Sequence, residues 1–537
     1  MRRVAALLLV ALAARPLAAQ HDHDHTAQLG RVVFPVSCNQ TARREFERAL
    51  AMLHSFWWEQ SQTAFQAVIA ADSSCAMGYW GLALNAFGNP FAGGPGGPAG
   101  KGEALRRGAA FAERGLAVGA PTPRERGFLA AAGALYRGAD SLTNARRLRA
   151  YSDTLARLYH EFPGDNEVAI YYALSLVETA PKTDTTFVRQ KQAAAILNPL
   201  FARFPQHPGL AHYLIHANDS PALAPLGLDA ARAYAQIAPA APHAQHMPSH
   251  IFVRVGMWDE TIATNQKSFD AGYGYAQAHQ VGVAPEQFHA LDYMVYAYLQ
   301  EGRDREARQT VARAQELTAT LATDQLVANY NRVAMEARIP LERGDWPAAS
   351  QLPIRAAELT IGAALGHFTR GLGAARLGDT SRADAEIAAL AAIQADMTRR
   401  DDADWATVVD VKRRLVIAFR ELAAGDTAGA IRDVTAAADI EDVTEKQPIT
   451  PAELLPAREL QGDMLVALGR YAAARTAYAA SLKREPRRAR ALYGLARAAE
   501  LAGDRQAAVS GYRAFVQQLQ HGDGDRVEIG RARAALR

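Results

Sequence analysis

The chain has 537 residues, 49% of them apolar and 21% charged, with a net charge of +3. That composition excludes a disordered chain and suffices for a large buried core. Three of the arginines, Arg2, Arg3 and Arg15, stand near the start without neighbouring acids, so the remainder is neutral, which argues against nonspecific binding to nucleic acid.

Arg2 and Arg3 precede an apolar run from Val4 to Ala14, too short to span a bilayer, and Leu17-Ala18-Ala19 then offers small residues for cleavage. Residues 1–19 therefore read as a secretory signal, leaving a periplasmic or secreted chain that starts at Gln20 or His21. No later stretch is apolar enough to be a transmembrane segment. Residues 20–35 read as a flexible leader in which His21, His23 and His25 alternate with Asp22 and Asp24. With His23 third from a free amine this leader has a copper or nickel pattern, against a plain solvated tail. Cys38 and Cys75 are the only cysteines. In an oxidising compartment they predict one disulfide, against two separate buried thiols, and a two-helix hairpin between them returns the chain to near its start.

Residues 36–438 read as a degenerate array of helix pairs. Ser61, Phe65, Val68 and Ser73 fit one helix, and Ala230, Tyr234, Ile237 and Pro242 fit another. The aromatics Trp57, Trp58, Tyr79, Trp80 and Phe87 are expected to pack between helices. Residues 88–102 are too rich in Gly and Pro for a helix and are expected to form a loop. They do not make a phosphate loop, because Pro95 and Gly102 stand where Gly and Ser or Thr are needed. Further on, Gly256, Gly302, Gly344, Gly378 and Gly425 mark a recurring turn, 34 residues apart between Gly344 and Gly378 and 42 to 47 apart elsewhere. Residues 439–453 are a polar stretch expected to link this array to residues 454–537. There Gly469, Ala474 and Tyr478 recur 34 residues later as Gly503, Ala508 and Tyr512, with Pro486 between them. This is the tetratricopeptide (TPR) pattern of two antiparallel helices, A and B, per unit. Small residues let the two helices approach, an aromatic fills the gap between units, and proline stops helix B. The predicted fold class is all-α, a superhelical solenoid of antiparallel helix pairs.

The segments Leu53–Leu84 (LHSFWWEQSQTAFQAVIAADSSCAMGYWGLAL) and His246–Ala263 (HMPSHIFVRVGMWDETIA) resemble a group of exported bacterial TPR proteins, over roughly residues 30–370. That resemblance implies fold and compartment but no chemistry. The TPR family at large implies a protein or peptide partner in a concave groove.

Neither HExxH nor GxSxG occurs. Histidines are the candidate chemistry: His212, His216, His243, His246, His250, His279 and His289 fall within 78 residues. His212 and His216, and His246 and His250, are spaced i, i+4, so each pair shares a helix face. The turn positions put both pairs and His289 on successive A helices, which line the inner face of a TPR solenoid. Convergence of His212, His216, His246, His250 and His289 predicts a divalent transition-metal site for zinc or copper, with Asp219 and Asp292 as further ligands or supporting acceptors. Pro248 divides the second pair and His243 reads as a loop residue; the alternative is a set of histidines that only shape a polar groove. Arg254, one turn beyond His250, could hold a partner's carboxylate or pair with an acid of its own chain. Two functions follow: an exported scaffold for a protein or peptide, or a metalloprotein, with enzymatic activity left open.

Overall fold

A computed structural model describes residues 28–92, 97–321, 326–355, 360–400 and 402–537. The expected signal and residues 20–27 of the expected leader lie outside the described residues; residues 28–35, expected to be flexible, are instead packed down, with Leu29, Val32 and Phe34 buried and the Arg31 N–H donated to the Gln206 carbonyl at 2.8 Å. Among the described residues the fold is all-α, with a single isolated bridge between Val283 and Leu321. None of these helices is long and apolar enough to cross a membrane.

The helices pack as consecutive antiparallel pairs. The first are α1 (Gln40–His54) with α2 (Trp58–Ala71), α3 (Ala76–Phe87) with α4 (Gly97–Val118), α5 (Pro123–Tyr136) with α6 (Asn144–Glu161), and α7 (Asn166–Glu178) with α8 (Val188–Arg203). Next come α9 (Pro208–Asn218) with α10 (Leu228–Ile237), then the short α11 (Pro242–His246) and α12 (Pro248–Val255), which pack on α13 (Trp258–His279). They are followed by α14 (Glu286–Gln300) with α15 (Asp304–Thr318), α16 (Leu326–Arg343) with α17 (Trp346–Ser350), α18 (Thr360–Arg376) with α19 (Thr380–Arg399), and α20 (Ala403–Ala423) with α21 (Thr427–Asp442). The last pairs are α22 (Ala457–Ala467) with α23 (Tyr471–Arg484) and α24 (Ala489–Leu501) with α25 (Arg505–Gln518), closed by α26 (Val527–Ala535).

Local chemistry explains the pairing. In α1, Ala42, Phe46, Ala49, Leu50 and Leu53 recur at helical spacing and are buried, as are Ala64, Phe65 and Val68 of α2. Cys38 and Cys75 are joined as a disulfide, with Cα atoms 5.0 Å apart, so the first hairpin is closed covalently. A loop of this length contributes about 3–4 kcal/mol by restricting the unfolded chain. All seven turn glycines, Gly256, Gly302, Gly344, Gly378, Gly425, Gly469 and Gly503, adopt positive φ, which other residues enter only with strain. The aspartates after four of them, Asp345, Asp379, Asp426 and Asp504, cap the following B helix by accepting a backbone N–H three residues on. Gly462 and Gly494 both lie against Tyr478, where an added Cβ would come within 2.7 and 2.3 Å of its ring.

Two features differ from the sequence reading. The Gly/Pro-rich stretch is not loop throughout: α4 begins at Gly97 and incorporates its last six residues, because the good helix formers from Glu103 onward carry the helix and Pro98 is tolerated in the first turn. The stretch expected as a linker starts inside α21. Residues 443–456 then run as a non-helical strap of turns and bends across the array, burying Gln447, Ile449, Thr450, Ala452, Leu454 and Leu455. The array also closes on itself. α1 packs against α9, and α24 reaches back to α14.

Candidate metal centre

α9, the α11–α12 pair and α14 are successive A helices, and they bring six histidines together. His212 and His216 come from α9, His243 and His246 from α11, His250 from α12 and His289 from α14. Pro248 breaks the hydrogen bonding between α11 and α12 but not the path of the chain. Met247 keeps helical angles (φ −53°, ψ −35°), and proline at the start of α12 needs no N–H partner. The four-residue spacing of His246 and His250 therefore survives as a shared face.

The six rings form two adjacent triads, His212–His216–His243 and His246–His250–His289, and within each triad one ligand atom per residue lies within 4.8 Å of the others. In the first, the Nε2 atoms of His216 and His243 are 3.1 and 3.2 Å from Nε2 of His212. In the second, the Nε2 atoms of His246 and His250 are 3.0 Å apart, and the His289 ring centroid is 4.4 Å from that of His246. The triads touch, with ring centroids 6.3 Å apart for His216 and His250 and 6.1 Å for His243 and His246.

Partners behind the rings set the tautomers. His212 Nδ1 is 2.6 Å from the carbonyl oxygen of His54, which can only accept. His250 Nδ1 is 2.8 Å from Asp219 Oδ2. His246 Nδ1 is 2.6 Å from Asn265 Oδ1, and the Asn265 amide is oriented by its own donation to the Thr261 carbonyl at 2.8 Å. In all three rings Nδ1 is thus the donor, and Nε2 presents a lone pair to the centre of its triad. Burial pushes all six imidazoles down from the ordinary histidine range, keeping them neutral.

Aromatic rings wall the centre. Phe56 stacks on His243, Phe91 on His216 and Tyr234 on His212, while Tyr293 meets His246 and His289 edge-on. Carboxylates stay one step back. Burial opposes ionisation of Asp219, but Lys446, Arg254 and His250 outweigh it and hold its carboxyl well below the usual range. Arg254 is buried and pairs with Asp219 at 2.8 Å and with Glu445 of the strap at 3.0 Å, so its charge is matched by acids of its own chain. Asp292 lies outside the centre, bound to Arg338 at 2.7 Å. His279, at the end of α13, is exposed and contacts Tyr275.

The five histidines singled out from the sequence all converge here. His243 is the addition. Its signal lay in the spacing His243, His246, His250, which is i, i+3, i+7 on one helix face. A third cluster, His54–Glu167–His207, sits nearby. There the Glu167 carboxylate lies 3.1 Å from His54 Nε2 and 2.8 Å from His207 Nε2, and Tyr213 meets the other nitrogen of His54 at 2.9 Å. Each polar group in it other than His207 Nδ1 has a partner, and it braces the His54 carbonyl that holds His212.

A separate cleft of about 410 Å³ opens in the C-terminal repeats, lined by Arg343, Trp346, Arg376, Arg490, Tyr493 and Arg497 among others. Arg376 lies over the rings of Trp346 and Phe419, at 4.6 and 5.1 Å, and forms no ion pair among the described residues.

No protein-family model matches the chain, and no curated protein matches it. Among solved structures it is similar to a human IFIT1 dimer with m7Gppp-AAAA, at 10% identity and TM-score 0.36 over 78% of this chain and 86% of that one. It is also similar to the APC/C hetero-tetramer Cut9-Hcn1, at 11% identity and TM-score 0.33 over 92% and 96% of the two chains. A third similar structure is Ypp1, at 10% identity and TM-score 0.42 over 89% and 81%. At these scores none of the three lends a ligand or a partner to this chain.

Proposed function

We propose that the protein is a metalloprotein whose two histidine triads each hold one transition-metal ion. The observation that carries this reading is the pair His246–His250. Both Nδ1 atoms are committed as donors, so two Nε2 lone pairs face each other at 3.0 Å with no proton between them. Two lone pairs at that distance repel, and a cation between them turns the repulsion into two bonds. Ligand nitrogens around a tetrahedral ion with bonds of about 2.0–2.1 Å stand about 3.3 Å apart, close to the spacings in both triads. The outer acceptors on His212, His246 and His250 are the kind that fix and strengthen metal-bound imidazoles. Imidazole-only ligation suits zinc or copper. Three protein ligands per ion leave a position open, an arrangement suited to action on a small molecule more than to a closed structural site. The test is metal content. Purified chain stripped with a chelator and reloaded with zinc or copper is expected to retain two ions per molecule, His212→Ala one, and His212→Ala/His289→Ala none. Folded wild-type chain that retains no ion rejects the reading.

Partner binding is a second reading, supported by Arg376 in the C-terminal cleft. An arginine over two aromatic rings that makes no ion pair among the described residues suits an acidic peptide side chain. Fluorescence titration with an acidic peptide library, against Arg376→Ala, tests it; equal binding by both chains would reject it. Export belongs to both readings, and intact-mass measurement of natively expressed chain is expected to show a start at Gln20 or His21; soluble chain that keeps Met1 would count against it.

A further inference from the structure

Two cations in the triads meet no negative charge from their ligands, because all six are neutral imidazoles. The fixed charges behind the second triad are Asp219, Arg254, Glu445 and Lys446, and they cancel among themselves. Asp219 and Glu445 are both engaged by Arg254, and Asp219 also accepts from His250. Lys446 is the group left over. Its side chain is 5% exposed, its Nζ makes no hydrogen bond among the described residues, and its ion pair with Asp219 is long, at 3.6 Å. Its charge acts on His246, His250 and His289, the members of the second triad.

Neighbouring strap residues hold Lys446 there. Glu445 donates its N–H to the Lys182 carbonyl at 3.1 Å and pairs with Arg254, while Gln447 accepts from Lys182 Nζ at 2.5 Å. A buried ammonium held only by one long ion pair and by no hydrogen bond is costly, and beside a cationic centre it is repelled as well. One occupant removes both penalties: an anion that binds the open position of the metal and accepts from Lys446. The space is small, since Tyr293 closes edge-on against His246 and His289 and its hydroxyl is 3.5 Å from His250.

Resting on the two-ion reading, we propose that the centre takes a compact anionic ligand, bound to the ion of the second triad and hydrogen-bonded by Lys446. The chemical class is a small anion with a metal-donor atom and a free acceptor atom, such as azide, a peroxide or a short carboxylate.

The experiment uses full-length chain loaded with copper(II) and titrated with sodium azide. The azide-to-copper charge-transfer absorption is followed, and copper per chain is measured on the same samples. Wild type is expected to saturate. Lys446→Met is expected to keep two ions and bind azide about tenfold more weakly, the scale of one charge-assisted hydrogen bond, whereas Lys446→Arg keeps its affinity within a few fold. Lys446→Gln carries the same comparison if the methionine variant does not fold. Two ions with no azide band, or with equal azide affinity in the uncharged variants, overturns the anion site and leaves the two-ion reading standing. Wild-type chain that holds no copper overturns both.

Discussion

At the scale of single residues, acceptors decide what the histidines do. Asn265 Oδ1, Asp219 Oδ2 and the His54 carbonyl each bind one Nδ1–H and thereby aim three lone pairs inward. A different, half-buried group gives the clearest pH signature. Glu178, at the end of α7, lines a small apolar cleft with Phe56, Leu174 and Tyr213, and its buried Oε2 has no hydrogen-bond partner among the described residues. Burial pushes its carboxyl up to about 8. The folded chain therefore keeps a proton that the unfolded chain loses at about pH 4.3. Its contribution to stability is complete below that value and is lost as pH rises through about 8. Urea unfolding of metal-free chain at several pH values is expected to show this fall, and Glu178→Gln should flatten it; an unchanged slope in the variant would reject the assignment. The i, i+4 pairs were legible in the sequence because helix geometry alone puts them on one face. His243 was not, because Pro242 was grouped with the preceding helix and His243 fell just past its end, whereas that proline sits at the start of α11 where helices accept it.

At the scale of elements, the turns were legible and the strap was not. A positive-φ glycine followed by a capping aspartate is local chemistry, readable from adjacent residues. The strap's polarity suggests solvent because its partners lie far away in the chain. Arg338 of α16 donates to Thr450 Oγ1 at 2.8 Å and to the carbonyls of Ala452 and Glu453 at 3.0 and 3.2 Å, while also gripping Asp292. Arg338→Met strips the strap of these bonds and leaves the wholly buried Asp292 carboxylate unpaired, a loss of about 3–5 kcal/mol. We expect a lower Tm with helical content retained, and proteolytic cleavage that first appears within residues 443–456. Cleavage elsewhere, or an unchanged Tm, would show that Arg338 does not hold the strap.

At the scale of the whole molecule, the solenoid was legible from its period, but its closure was not. Repeat spacing says which helices are neighbours in order; it does not say that α1 returns to α9 or α24 to α14. The metal centre lies at the middle of this closed array and joins three successive repeats. Each ion there is expected to stabilise the fold by about 4 kcal/mol when free metal is a thousand times its Kd, so chelation should lower Tm, and the His212→Ala/His289→Ala chain should not respond. A shift of equal size in that variant would place the effect elsewhere.

The strap also fixes an order of assembly. Glu445 reaches Arg254, and Gln447 reaches Lys182, from 191 and 265 residues further along the chain. A chain that emerges from its N-terminus has all six histidines in hand well before the segment that covers them. An ion present during folding therefore enters an open second triad, and the late-arriving strap then closes beside its three buried histidines. Metal supplied to finished apo-protein must wait for that segment to swing away, so loading of the second triad after folding should be slower than loading during it, and its captured ion should exchange at the rate of strap opening, while the half-buried first triad exchanges faster.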